Sequence, residues 1–190
     1  MEETMTKTID IGAKIFKTHF ERATLCLQGK GSGADCWFTV GLFKNGDIVG
    51  TNGEILYCGN LGIELPFDRM FLKPDDLIPF LKNIGKKDSY IMTIDFEKNK
   101  MTYLSNIVYF RPKNVQYPNY TEIFLENYNE EKTIQTFSSD TIRLIGKLAD
   151  KDHDLEFNIR GNRETGPDPT LITIKGEYPG KIIAMPLTNV

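Results

Sequence analysis

Three isoleucines, Ile15, Ile78 and Ile142, stand 63 and 64 residues apart, and each opens a similar stretch of chain. A short extended run ends in a turn or cap. A helix-like segment follows (Ile15–Leu27, Leu77–Ile84, Ile142–Leu148), and β-rich sequence comes after it. Self-similarity over roughly 60 residues marks a supersecondary unit used more than once. One such unit of about 60 residues would be marginal alone. The 190 residues make one large or two small domains.

The first unit has a strand over Thr6–Ile11, then a helix over Gly12–Leu27 whose apolar stripe is Ile15, Phe16, His19, Phe20, Ala23 and Leu27. Gly29–Ala34 breaks it. Trp37–Lys44 alternates and reads as a strand, Asn45-Gly46 is a hairpin signal, and Asp47–Gly50 and Glu54–Leu61 read as two more strands. The second unit opens with Arg69–Leu72. Pro74 starts its helix, Asp75-Asp76 suit the positive end of the helix dipole, and Leu77, Ile78, Leu81 and Ile84 form the stripe before Gly85. Ser89–Glu97, Met101–Ser105 and Ile107–Arg111 are three strands. The polar, acidic run Glu126–Lys132 reads as a connector. The third unit has a strand over Thr133–Phe137 and a helix capped by Ser138 or Ser139 with the stripe Ile142, Ile145, Leu148. Strands over His153–Ile159, Thr170–Lys175 and Lys181–Pro186 follow, the first two flanking a loop at Arg160–Pro169. The fold class is α+β. The expected division is 1–126, made of half-units at about 6–66 and 67–124, and 127–190.

The net charge of −3 decides nothing about nucleic acid, because a surface can be basic on one side of an acidic chain. Cys26, Cys36 and Cys58 form no CxxC pair and no disulfide framework, which suits buried thiols in a reducing cytoplasm. Met1–Lys7 lacks an apolar signal-peptide core, and no apolar run approaches the ~20 residues of a membrane span.

Catalytic signatures are weak. Gly29–Asp35 (GKGSGAD) lacks the spacing of a phosphate loop and reads as a turn. His19 falls on the apolar side of a helix with no ligand at metal spacing. His153 lies among Asp150, Asp152 and Asp154, a cluster without a second His or Cys and better read as a solvated turn. Asp75-Asp76 suit a helix start more simply than a metal. No G-x-S-x-G is present. No cofactor, metal site or catalytic residue is expected.

Three local patterns, in order along the chain, resemble the DNA sliding clamp family, in particular the β subunit of bacterial DNA polymerase III. Ile48–Leu56 (IVGTNGEIL) is similar to the family's apolar-pair, Thr-Asp-Gly, strand pattern. Tyr117-Pro118-Asn119-Tyr120 with Ile123 resembles its aromatic-Pro-Asp-Tyr segment. Ile182–Leu187 (IIAMPL) resembles its Met-Pro ending. There are departures: Glu54-Ile55 stands where His-Arg is usual, Glu122 stands near a usual basic residue, and Thr188-Asn189-Val190 extend the end. The resemblance implies one complete clamp domain followed by a C-terminal half-domain, a compact version of the kind expected on a phage or plasmid.

The resemblance also implies a function: a non-enzymatic processivity factor that encircles duplex DNA, tethers a polymerase or related enzyme and, where needed, is placed by a loader. The cations off the apolar stripes are Lys14, Lys17 and Arg22 on the first helix, Lys82, Lys86 and Lys87 at the second, and Arg143 and Lys147 on the third. Alone, each set reads as a solvated helix face. In the family such helices line the hole and meet phosphates without reading bases. A partner-peptide pocket is implied at Phe38, Thr51, Gly53, Leu56, Pro118, Ile123, Met185, Pro186 and Leu187. Family rings are lined by twelve helices, so four copies of a three-helix chain would form a homotetrameric ring. Two copies of the third unit would complete one domain across a two-fold axis, and two such dimers would close through their first units. The alternatives are a clamp-like module or decoy that binds clamp partners without encircling DNA, and, more distantly, a metal-dependent nuclease using Asp75 and Asp76.

Overall fold

The computed structural model describes residues 8–27, 34–85, 90–121, 137–149, 153–158, 162–163, 166–167 and 169–185. In chain order these form β1 (Thr8–Gly12), α1 (Ala13–Leu25), a 3-10 turn (Asp35–Phe38), β2 (Val40–Phe43), β3 (Asp47–Thr51), β4 (Ile55–Asn60), β5 (Arg69–Leu72) and α2 (Pro74–Leu81). There follow β6 (Ile91–Asp95), β7 (Lys100–Tyr103), β8 (Asn106–Tyr109), α3 (Ser139–Ala149), β9 (Asp154–Asn158), the short pair β10 (Asn162–Arg163) and β11 (Gly166–Pro167), β12 (Thr170–Lys175) and β13 (Gly180–Ala184).

Two antiparallel sheets carry the structure. One has the order β1-β6-β7-β8, so the first unit's opening strand pairs with the second unit. The other has seven strands in the order β5-β2-β3-β4-β13-β12-β9. Its middle is a seam between sequence-distant units: β4 of the first pairs with β13 of the third, Leu56 opposite Ile183 and Gly59 opposite Gly180. The expected division at the acidic connector falls on residues outside those described. In space, the third unit extends the first unit's sheet.

Alternation sorts the large sheet's side chains onto two faces. Leu42, Ile48, Ile55, Tyr57, Leu72, Ile172, Ile174, Ile182 and Ala184 join the main core with Phe16, Phe20 and Ala23 of α1 and Ile145 and Leu148 of α3. The opposite face buries Val49, Leu56, Cys58, Phe71 and Ile183 beneath a covering segment that contributes Val115, Tyr117 and Tyr120. Helix α1 touches both α2 and α3, so the three helices lie side by side. No described helix is long and apolar enough to cross a membrane.

Several boundaries differ from the sequence expectation, for physical reasons. Trp37-Phe38 belong to the 3-10 turn, and the strand begins only at Val40. Helix α2 ends at Leu81, short of the expected Ile84. The chain tightens there, the Asn83 and Ile84 N–H groups donating to the carbonyls three residues back, Phe80 at 3.0 Å and Leu81 at 3.1 Å. On α3, Ser138 is the cap: its Oγ accepts the Thr141 N–H at 3.0 Å. Ile145 and Leu148 are buried, but Ile142 is half exposed and lies off the core stripe. Of the expected strand Thr133–Phe137, only Phe137 is described.

Candidate partner-binding cavity and helix face

A cavity of about 300 Å³ opens beside the β4–β13 seam on the outer face of the large sheet. Its walls include Thr51, Gly53, Leu56, Pro118 and Met185, five of the residues singled out in the sequence. The β3–β4 hairpin is built to face it. Thr51 Oγ1 donates to the Ile55 carbonyl at 2.9 Å and accepts the Gly53 N–H at 3.1 Å, while Asn52 Oδ1 accepts the N–H groups of Glu54 and Ile55, both at 3.0 Å. Gly53 sits at φ 90°, a left-handed conformation that glycine adopts without strain. The Trp37 ring lies 3.0 Å from where a Cβ at Gly53 would be, a tight contact. On the other side, the Met185 N–H donates to the Glu54 carbonyl at 2.9 Å, tying the third unit to the hairpin tip.

The covering segment supplies Pro118. Tyr117 stacks on Phe71 with ring centroids 5.3 Å apart, and Tyr120 packs on Phe43 at 4.5 Å, so the proline between them is fixed at the rim. The Tyr120 hydroxyl donates to Asp47 at 3.0 Å.

Phe38 does not line this cavity. It faces a separate cleft with Thr24, Leu27, Lys73, Pro74, Asp75 and Ile78. Successive side chains of a 3-10 turn diverge by roughly 120°, so Trp37 takes the place expected of Phe38. Cys36, Trp37 and Ile183 also line the wall and were not singled out in the sequence, and Glu54 and Ile55, noted there only as departures from the family pattern, line it too. Ile183 was within reach, since it shares a strand face with Met185 by period two. Ile123, Pro186 and Leu187 lie outside the described residues.

The expected basic helix face is less basic than the sequence implies. Arg22 is only 5% exposed, and its guanidinium donates to the Tyr178 carbonyl at 2.6 Å. It is a buried tie between the first and third units, not a cation on a solvent face. Lys17 donates to the Ile84 carbonyl at 2.6 Å and stands 3.9 Å from Glu21. Lys14 pairs with Glu177 at 3.4 Å and lies over the Tyr178 ring. Arg143 is paired with Asp140 at 2.7 Å, one turn away. Lys82 and Lys147 are exposed, and neither has an ion pair among the described residues. Lys86 and Lys87 lie outside them.

Beneath the seam is a polar cluster that the sequence pattern hid. His19, fully buried, shares a 2.6 Å hydrogen bond between its Nδ1 and the Tyr57 hydroxyl. Burial, with the nearby Arg22 charge, pushes the His19 pKa down to about 4, so the ring is neutral at pH 7. The cross-seam glycines make room for this cluster: a Cβ at Gly59 would overlap the His19 ring, and one at Gly180 would strike Tyr57. No group of three or more His, Cys, Asp or Glu among the described residues could hold a metal; Asp150 and Asp152 are not among them.

No protein-family model matches the chain, and no curated protein matches it. Solved structures do. The DNA polymerase III subunit β from Pseudomonas aeruginosa is similar with a TM-score of 0.71 at 9% identity, covering 100% of this chain and 68% of that one. The Helicobacter pylori β clamp, solved in complex with carprofen, gives 0.62 at 13% identity, with 96% and 67% covered. The Thermotoga maritima β subunit gives 0.55 at 10% identity, with 96% and 65% covered. The chain thus spans about two thirds of the length of these proteins. Its α+β architecture, with side-by-side helices and two antiparallel sheets, is the fold of the DNA polymerase III β sliding clamps.

Proposed function

We propose that this protein is a non-enzymatic sliding clamp. Four copies close a ring around duplex DNA, and the seam cavity holds a short apolar peptide of a polymerase or another DNA-processing enzyme. The observation that carries the reading is the whole-chain likeness to β subunits, with an apolar cavity beside the β4–β13 seam. Tethering multiplies a weak peptide interaction, because enzyme and clamp are held on the same DNA and the second encounter becomes intramolecular. Duplex DNA, a peptide-bearing enzyme and, where required, a loader are the partners this function needs.

One observation favours a second reading, a clamp-like module that binds the same peptides without encircling DNA. The α1 cations and Arg143 are engaged within the chain, which leaves a helix face of mixed charge. Topological retention separates the two. Protein assembled on a nicked circular plasmid should stay bound through gel filtration at moderate salt, and linearising the plasmid should release it. Release from circle and line alike sinks encirclement and leaves the non-encircling module.

A further inference from the structure

We propose that β8 is a homotypic docking strand: two copies of this chain pair their β8 edges antiparallel across a two-fold axis, merging two four-stranded sheets into one of eight strands. The inference rests on the ring reading above and names the surface through which dimers would close.

Among the described residues the two main sheets end on four strands: β1 and β8 in one, β5 and β9 in the other. An uncovered edge is a template for another strand, and charge along it is the usual protection. Strand β5 is overlain by the covering segment, the Lys113 N–H donating to the Phe71 carbonyl at 2.8 Å. Strand β1 carries Asp10. Strand β9 carries Asp154 and Glu156, the latter ion-paired with Lys175. Strand β8 reads Asn106-Ile107-Val108-Tyr109, with no charge and no proline. The β4 edge, through which first units could have met, is filled by β13 of the same chain. Closure therefore moves to the second unit.

The outer face at β8 suits a second copy. Ile107 and Tyr109 are each more than half exposed, and so are Leu104 at the β7–β8 turn and Ile91 on β6. Extending the Thr93–Thr102 register by two residues sets Ile91 beside Leu104, so the four form one apolar corner.

Backbone direction fixes the register. The Phe110 N–H donates to the Asn99 carbonyl at 2.9 Å, towards the β7 side. By alternation the polar groups of Val108 also face β7, and those of Ile107 and Tyr109 face the edge that no described strand covers. A two-fold axis through Val108 satisfies all of them. Ile107 of each copy exchanges two hydrogen bonds with Tyr109 of the other, and the two Val108 residues form the close, non-hydrogen-bonded pair with Cα atoms about 4.5 Å apart. Ile107 and Tyr109 then stack as cross-strand neighbours on one face.

The test is a cysteine substitution with a register control, run on the full chain. The native Cys26, Cys36 and Cys58 are buried. Val108→Cys should form a disulfide-linked dimer under mild oxidation, whereas Tyr109→Cys, which would face Ile107, should not. In parallel, Ile107→Lys with Tyr109→Lys should halve the mass found by light scattering, with the circular-dichroism spectrum unchanged. A full-size wild-type ring, with no cross-link in the Val108→Cys variant and with its mass unmoved by the lysines, overturns β8 docking and leaves the ring reading standing. A wild-type chain that stays monomeric overturns both.

Discussion

At the residue scale, Arg22 and His19 show how a helical wheel misleads. Both lie near expected faces, Arg22 among the cations and His19 on the apolar stripe. Which wall of α1 meets the third unit is not encoded in α1 itself. The guanidinium finds the Tyr178 carbonyl, 156 residues away in sequence, and the imidazole finds Tyr57. His19 was legible as buried; its polar partner was not. The pH consequence follows from the sign of the shift. The folded pKa, about 4, lies below the ordinary 6.5, so the unfolded chain binds the extra proton first. Stability from the neutral ring is complete above about pH 6.5 and drains away as pH falls towards 4. Between pH 7 and pH 5 the loss is about 2 kcal/mol. His19→Gln keeps a polar group beside Tyr57 without titrating. Urea unfolding at the two pH values should show a drop in wild type that is smaller by about that amount in the variant. Equal drops would mean that His19 does not couple to folding.

At the element scale, local patterns carried far. The Ser138 cap, the Asn45-Gly46 hairpin, the alternation of β12 and the Pro74 helix start each depend on neighbours a few residues away, and each forms where expected. The misses have local or long-range causes. Trp37-Phe38 have the composition of a strand, yet they close a 3-10 turn that swings Phe38 away from the cavity. The β4–β13 seam joins segments more than 100 residues apart, and no periodicity announces such a pairing. Five cavity residues were nevertheless legible, because the β3–β4 hairpin and the strand ending at Met185 carry their own motifs. The cavity makes a specific prediction. Met185 is 46% exposed at its rim, so Met185→Asp should leave folding intact while placing a charge against an apolar ligand. Calorimetry with a peptide bearing Gln near its start and Leu-Phe near its end should show binding weakened at least tenfold. Equal affinity for variant and wild type would remove the cavity from the partner site. Glu54 lines the cavity, so the same calorimetry should show a basic residue in the peptide raising affinity.

At the scale of the whole molecule, what matters is how charge is spread over the row of helices. The sequence suggested eight cations facing DNA. The structure removes Arg22, partners Lys14, Lys17 and Arg143 within the chain, and leaves Lys82 and Lys147 as the exposed cations without a described partner. Exposed ion pairs are worth little, so Arg143 can exchange Asp140 for a phosphate, whereas Arg22 cannot leave its buried site without losing a hydrogen bond to a charged donor worth about 1.5–3 kcal/mol. Two variants should therefore part company. Lys82→Glu with Arg143→Glu and Lys147→Glu should keep wild-type stability but weaken duplex binding at least tenfold at low salt. It should also flatten the dependence of log affinity on log salt, by about 0.9 for each phosphate that is no longer neutralised. Arg22→Gln should do the reverse, lowering the urea midpoint while leaving the salt slope of the folded fraction unchanged. Fluorescence anisotropy on two duplexes of unrelated sequence, across a potassium chloride series, reads both effects and the absence of sequence preference together. If the triple reversal leaves affinity and slope untouched, the helices do not face DNA, and the cavity is left as the protein's means of acting on its partners.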